Sequence, residues 1–133
     1  MLSEKNTLKK TERLKSRKLI ESLFADGTAI SHFPFKLIYK TGELNDSETN
    51  SKIAVSVSKR NFKRAVDRNY IKRKLKESFR KNKFSLYESL QKNNQNAYFI
   101  VIYIAKEDMA YQDIEKEMKL LLNKFIKRLE SDK

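Results

Sequence analysis

The chain has 133 residues, 39% of them hydrophobic and including eight Phe and six Tyr, which suffices for a single domain around one core. It contains no Cys, so disulfides and thiolate metal sites are excluded, and two Gly with one Pro exclude collagen-like or low-complexity character. The formal net charge of +13 is unevenly spread: residues 59–83 hold twelve Lys or Arg against only Asp67 and Glu77, so ten of the thirteen excess charges sit in one segment that suits a polyanion.

In chain order, residues 1–18 are basic and polar without the apolar centre of a signal peptide, and residues 1–11 read as a mobile tail on a single domain spanning residues 1–133. Leu19, Ile20, Leu23 and Phe24 recur at helical spacing. Ser16 is a candidate N-cap, and Gly27 suits the left-handed position after a helix, which predicts a first helix over residues 17–26. Residues 28–32 offer a short strand before Pro34. Phe35, Leu37 and Tyr39 then alternate with Lys36, Ile38 and Lys40, and Ile53, Val55 and Val57 with Ala54, Ser56 and Ser58, which predicts two half-buried strands. The polar link between them, with Gly42, Asn45, Asp46 and Asn50, reads as an exposed hairpin loop.

After Ser58 the period becomes helical: Ile71, Leu75 and Phe79 step by four and predict a helix over residues 65–82. Residues 97–105 are nearly continuous in Tyr, Phe, Ile and Val, as in a strand covered on both faces, and are about half as long as a membrane span needs. A final helix carries Tyr111, Ile114, Met118, Leu121, Leu122, Phe125 and Leu129 as a broad apolar stripe. This order predicts an α+β fold of two layers, three helices on a small mixed sheet, with the basic helix inside a β-α-β crossover that general statistics make right-handed. The chain reads as soluble, cytoplasmic and without a membrane partner.

On the helix over residues 65–82, Asn69, Lys72, Arg73, Lys76 and Arg80 fill the face beside the apolar side. Arg64, Arg68, Lys72, Lys76 and Arg80 step by four, so each repels the next and costs a few tenths of a kcal/mol in an isolated helix. Stability alone does not favour that pattern. Arg supplies a planar fork for phosphate, Lys a point charge, and Asn69 a donor and acceptor for a base or sugar edge, a mixture that suits a folded nucleic acid. With about six phosphate contacts, the log-log salt dependence of binding would have a slope of about −4 to −5.

Val55-Ser56-Val57-Ser58-Lys59-Arg60, followed by Ala65-Val66-Asp67-Arg68-Asn69-Tyr70-Ile71-Lys72-Arg73-Lys74-Leu75-Lys76-Glu77, resembles the signature of the bacterial ribonuclease P protein component. The similarity extends to Arg13-Leu14, to Phe24-Ala25-Asp26-Gly27 and to the buried strand before the final helix. The resemblance implies a ribosomal-protein-like fold with a left-handed crossover, which overrides the statistical expectation. It also implies an endoribonuclease subunit that assists removal of the 5′ leader from precursor tRNA, with the RNA subunit and its Mg²⁺ doing the chemistry. By matched positions, Arg68, Asn69, Lys72, Arg73 and Lys76 would contact the RNA subunit, supported by Lys59, Arg60, Arg64 and Arg80. Three positions of the basic segment depart from the family pattern. Tyr70 stands where Arg is frequent, Lys76 where Arg is usual, and Phe62 where a loop Gly is common.

The second sheet face, with Lys36, Ile38, Lys40, Ala54, Ser56 and Ser58, is small and basic and leaves room for an extended single strand. The resemblance places a leader groove between this face and the first helix, with Arg13, Ile20, Phe24, Lys36, Ile38 and Ser56 as its candidate residues. Ile20 stands where the family usually has Phe. Read from the residues alone, Phe24 is a core position, as are Phe35 and Tyr39.

No catalytic or metal-binding residues are assigned on the protein. His32 is the only His and reads as a turn or surface residue, and Glu43, Asp46 and Glu48 read as solvated loop acids. No Gly-rich phosphate loop and no small-molecule site is evident. A ribosomal protein or RNA chaperone could use the same basic helix on another RNA. A DNA-binding module is a further class, disfavoured because the helix lacks a helix-turn-helix partner.

Overall fold

The computed structural model describes residues 10–42 and 50–131. Residues 1–9 of the expected tail, and Asn45, Asp46, Glu43 and Glu48 of the polar link, lie outside the described residues. A 3-10 turn, Lys10–Glu12, precedes helix α1 (Arg17–Asp26). Strands β1 (Thr28–His32), β2 (Phe35–Thr41) and β3 (Ser51–Val57) follow. Helices α2 (Ala65–Asn82) and α3 (Phe84–Lys92), strand β4 (Ala97–Tyr103) and helix α4 (Tyr111–Ser131) complete the α+β fold.

Two of these elements differ from the sequence expectation. Helix α3 is a fourth helix; Leu86 and Leu90 are buried one turn apart on it, and Lys83 is the residue at which α2 gives way to it. The strand order is β1-β2-β4-β3, so β2 and β3 are not a hairpin. Strand β4 lies between them, antiparallel to β2 and parallel to β3. Its lack of polar alternation explains this placement, because the central strand is covered on both faces and carries apolar side chains at every position. The parallel β3–β4 pair requires a crossover connection, and α2 with α3 supplies it.

Alternation along the strands separates two cores. Phe35, Leu37, Tyr39, Phe99, Val101 and Tyr103 point toward α2, α3 and α4 and form the larger one. On the other face Ile38, Tyr98 and Ile100 meet Leu14 and Leu23 beneath α1. Phe24 is therefore not core: Leu23 takes the inward position and leaves Phe24 58% exposed.

Ser16 caps α1 as expected, its hydroxyl accepting from the Leu19 N–H at 3.2 Å. Gly27 behaves differently from the expectation. Its φ is −72°, an ordinary value, and glycine is required instead by proximity: a Cβ there would lie 2.5 Å from the Leu23 carbonyl oxygen and 2.6 Å from Ile38 Cγ2. The helix-to-strand corner closes only where no side chain intervenes.

A buried ionic cluster ties the N-terminal segment to the helical layer. Lys83, 3% exposed, donates to both oxygens of Glu12, 4% exposed, at 2.8 and 3.2 Å, and the Tyr87 hydroxyl donates to the same carboxylate. Burial first and the Glu12 carboxylate second push the Tyr87 phenol above its ordinary range. The last residues of the expected tail, Lys10 and Thr11, thus belong to an anchored turn.

Lys83→Ala is expected to destabilise the chain by about 3–5 kcal/mol in urea unfolding, since it strands a buried carboxylate, whereas exposed Lys81→Ala should change stability by about 0.5 kcal/mol or less. Gly27→Ala should cost about 1–3 kcal/mol. The raised Tyr87 phenol stays neutral in the folded chain while the unfolded chain ionises near pH 10, so its contribution is fully present below about pH 10 and is lost as pH rises through the folded value. Tyr87→Phe should lose about 1–3 kcal/mol at neutral pH and show a shallower alkaline fall.

Candidate nucleic-acid interface

Ile71, Leu75, Ser78 and Phe79 are the buried residues of α2, so the helix is seated by one stripe and the basic face is turned outward. Burial of that stripe fixes where every cation of the segment goes. Arg64 pairs with Asp67 at 2.9 Å, Arg80 with Glu77 at 2.6 Å, and Lys74 with Asp108 at 2.6 Å. The bond from Arg80 holds the Glu77 carboxyl below its usual range, and Arg64 does the same for Asp67. Lys59, Arg60, Lys63, Arg68, Lys72, Arg73 and Lys76 form no ion pair among the described residues. A line of cations without acidic partners among the described residues therefore runs from the end of β3 along α2.

Arg68 has a second task. Its Nη1 donates to the carbonyls of Phe62 and Lys63 at 2.8 and 2.9 Å, pinning the turn that carries Lys59 and Arg60. The same turn is held by Phe62, whose ring lies 6.1 Å from that of Tyr103, and by Asn61, which donates to the Ile104 and Ala105 carbonyls at 3.5 Å. The bulky residue at the loop position is thus a packing anchor.

Arg13 joins the α2 face and not the opposite groove. Leu14 N–H donates to the Ile53 carbonyl at 2.8 Å along the free edge of β3, and Leu14 packs into the core beneath α1. Neighbours on an extended segment point to opposite sides, so Arg13 is turned toward the helix. There it lines a concave surface of about 510 Å³ together with Arg73, Lys76, Arg80 and Tyr70.

On the sheet face that α1 partly covers, register aligns Lys36 with Ile102 and Ile102 with Ser56, forming a row across β2, β4 and β3. Lys36 is exposed, Ile102 and Ser56 are half-buried, and Ile20 is half-buried at the margin of the small core. Ile38 is buried beneath α1, so it supports this surface from below and is not open to a ligand. Lys40 is held by Asp26 at 2.9 Å. Ile102 was not singled out from sequence, although the alternation within residues 97–105 places it on this face.

His32 lies in β1 and bonds Glu117 of α4 at 2.7 Å, which joins the sheet edge to the last helix.

The sequence model of the ribonuclease P family matches residues 8–126. The chain belongs to the ribonuclease P protein family. It is 33% identical over 111 residues to the ribonuclease P protein component of Porphyromonas gingivalis, covering 84% of this chain and 80% of that one. The corresponding component of Borreliella burgdorferi is 35% identical over 116 residues, covering 86% and 89%. Among solved structures, the RNase P protein from Thermotoga maritima superimposes with a TM-score of 0.65 at 21% identity, covering 85% of this chain and 96% of that one, which concerns the fold. The chain is thus a protein subunit of ribonuclease P, an RNA-catalysed endoribonuclease of tRNA processing.

Arg68→Ala removes two charge-assisted bonds of about 1.5–3 kcal/mol each. Amide hydrogen exchange of residues 59–63 is expected to speed up by about tenfold or more, while the amides of Ile71, Leu75 and Phe79 keep their protection.

Proposed function

We propose that the α2 face, with Arg13 and the turn bearing Lys59 and Arg60, binds the RNA subunit of ribonuclease P. The observation that carries this reading is the line of cations without acidic partners among the described residues, on a helix whose opposite side is clamped to the core. Asn69, Lys72, Arg73 and Lys76 meet phosphates and sugar edges there, and Arg68 positions the turn as well. Arg64 keeps N–H groups beyond its i,i+3 pair with Asp67, and exposed pairs of this kind, like that of Arg80 with Glu77, are weak enough to be exchanged for phosphate.

The 5′ leader of precursor tRNA is read as lying along Lys36, Ile102 and Ser56, beside Ile20 and the exposed ring of Phe24. Lysine meets a phosphate in such a groove, and an exposed aromatic ring offers a stacking face. The protein would act in the cytoplasm with the RNA subunit and precursor tRNA as partners. No helix among the described residues is long and apolar enough to cross a membrane.

Magnesium belongs to this reading as an ion held by the RNA. Among the described residues no three His, Cys, Asp or Glu side chains gather as a metal site, and in this reading the protein's part is to bind and orient. Phosphate neutralisation by the protein lowers the ionic strength of Mg²⁺ needed to bring two polyanions together.

The direct test is leader removal from a precursor tRNA at low Mg²⁺, with the ribonuclease P RNA of the source organism, with and without the chain. RNA-dependent stimulation supports the reading; tight RNA binding without stimulation moves it to a different RNA. Arg73→Ala with Lys76→Ala should reduce the salt slope of RNA-subunit binding by about two, and an unchanged slope would remove α2 from the interface.

A further inference from the structure

The concave surface at α2 is built for more than phosphate. Tyr70 and Tyr111 line it from two different helices, and Glu77 places a carboxylate among its cations. A surface that only tracked a phosphate backbone would gain from neither a carboxylate nor aromatic rings. The surface at α2 is an open concavity of about 510 Å³, wide enough to seat one small organic group.

The side chains divide into committed and available groups. Lys74 is committed: it donates to Asp108 at 2.6 Å and to the Met109 carbonyl at 2.8 Å, with its ammonium 4.5 Å from the centre of the Tyr70 ring. It therefore holds that ring from one side by a cation–π contact. Tyr70 is nonetheless 50% exposed, so the ring offers an open aromatic surface in a fixed position. Arg73 and Lys76 are exposed and make no ion pair among the described residues, so they are available to phosphate. Glu77 accepts from Arg80 through both oxygens, at 3.1 and 2.6 Å, and its remaining lone pairs suit a base amino or imino group. Tyr111 lines the surface from α4, and its hydroxyl is buried without a hydrogen-bond partner among the described residues.

We infer that this cavity takes one unpaired nucleotide of the RNA subunit, its base stacked on Tyr70 and facing Glu77, and its flanking phosphates on Arg73 and Lys76. The inference rests on the reading of α2 as the RNA interface and specifies which RNA element that interface recognises. It also gives a reason for an aromatic residue at position 70. Stacking there replaces a charge contact and makes the site selective for an extruded base over a continuous duplex.

The test compares the full-length chain on two RNA hairpins that differ only by a single-nucleotide bulge in the stem. The wild type should bind the bulged hairpin more tightly. Tyr70→Ala should weaken that binding by about 10- to 100-fold, leave the paired hairpin unaffected, and not alter the salt slope, because no charge is removed. Tyr70→Phe should retain the preference. Tyr70 is exposed, and an unchanged thermal unfolding curve for each variant confirms that the fold is kept. Equal binding of both hairpins, or equal weakening of both by Tyr70→Ala, would overturn the nucleotide site. If Arg73→Ala with Lys76→Ala still lowers the salt slope in that case, the interface stands without the nucleotide. If that double variant also binds with an unchanged slope, the interface reading fails with it.

Discussion

The structure depends on the burial of Ile71, Leu75 and Phe79 against the sheet. An isolated helix with cations at every fourth position is weakened by a few tenths of a kcal/mol for each repelling pair. Each of the three buried side chains returns about 1.5–3 kcal/mol. Packing therefore wins by a wide margin, and the opposite face can hold a charge density that no local term would favour. The two acids of the segment reduce the repulsion at its ends, with Asp67 on Arg64 and Glu77 on Arg80, and leave the middle of the helix to Asn69, Lys72, Arg73 and Lys76.

The seat for that helix is made by β4. Being central, it contributes Phe99, Val101 and Tyr103 to one core and Tyr98 and Ile100 to the other, so both faces of the sheet are organised by one strand. Strand β3, its parallel neighbour, exposes an edge that residues 13 and 14 partly cover. The Glu12, Lys83 and Tyr87 cluster anchors the start of that segment at the junction of α2 and α3. One buried carboxylate thus brings Arg13, sixty residues before Arg73 in sequence, to the same surface as Arg73 and Lys76. On the proposed reading, the two sides of the sheet then serve two different RNA molecules.

Much of this was legible in the sequence because it is written in periodicity. Alternation set Phe35, Leu37 and Tyr39 against Lys36 and Lys40, and the four-residue step of Ile71, Leu75 and Phe79 marked the seated side of α2. What could not be read was long-range. Nothing local says that β4 inserts between β2 and β3, since strand order is decided by which apolar surfaces meet. Helix α3 was missed although Leu86 and Leu90 carry its period, because a nine-residue helix gives a short signal. The groove residues were harder still. Phe24 and Leu23 are adjacent and both apolar, and only the packing of α1 decides that Leu23 is inside. Arg13 was read with the leader groove, and its place beside α2 follows from the facing of Leu14, which is a tertiary fact. Glu12 gave no signal at all, since a buried acid beside a basic tail looks like any surface charge.

The most direct test of the account is hydrogen exchange of the full chain, measured free, with the ribonuclease P RNA subunit, and with that RNA plus precursor tRNA. The account predicts that the RNA subunit alone protects residues 59–63 and the exposed side of α2, and that β2, β3 and α1 gain protection only when precursor tRNA is added. Protection by the RNA subunit that fell on α1 and β2 and left residues 59–63 and α2 unchanged would contradict it.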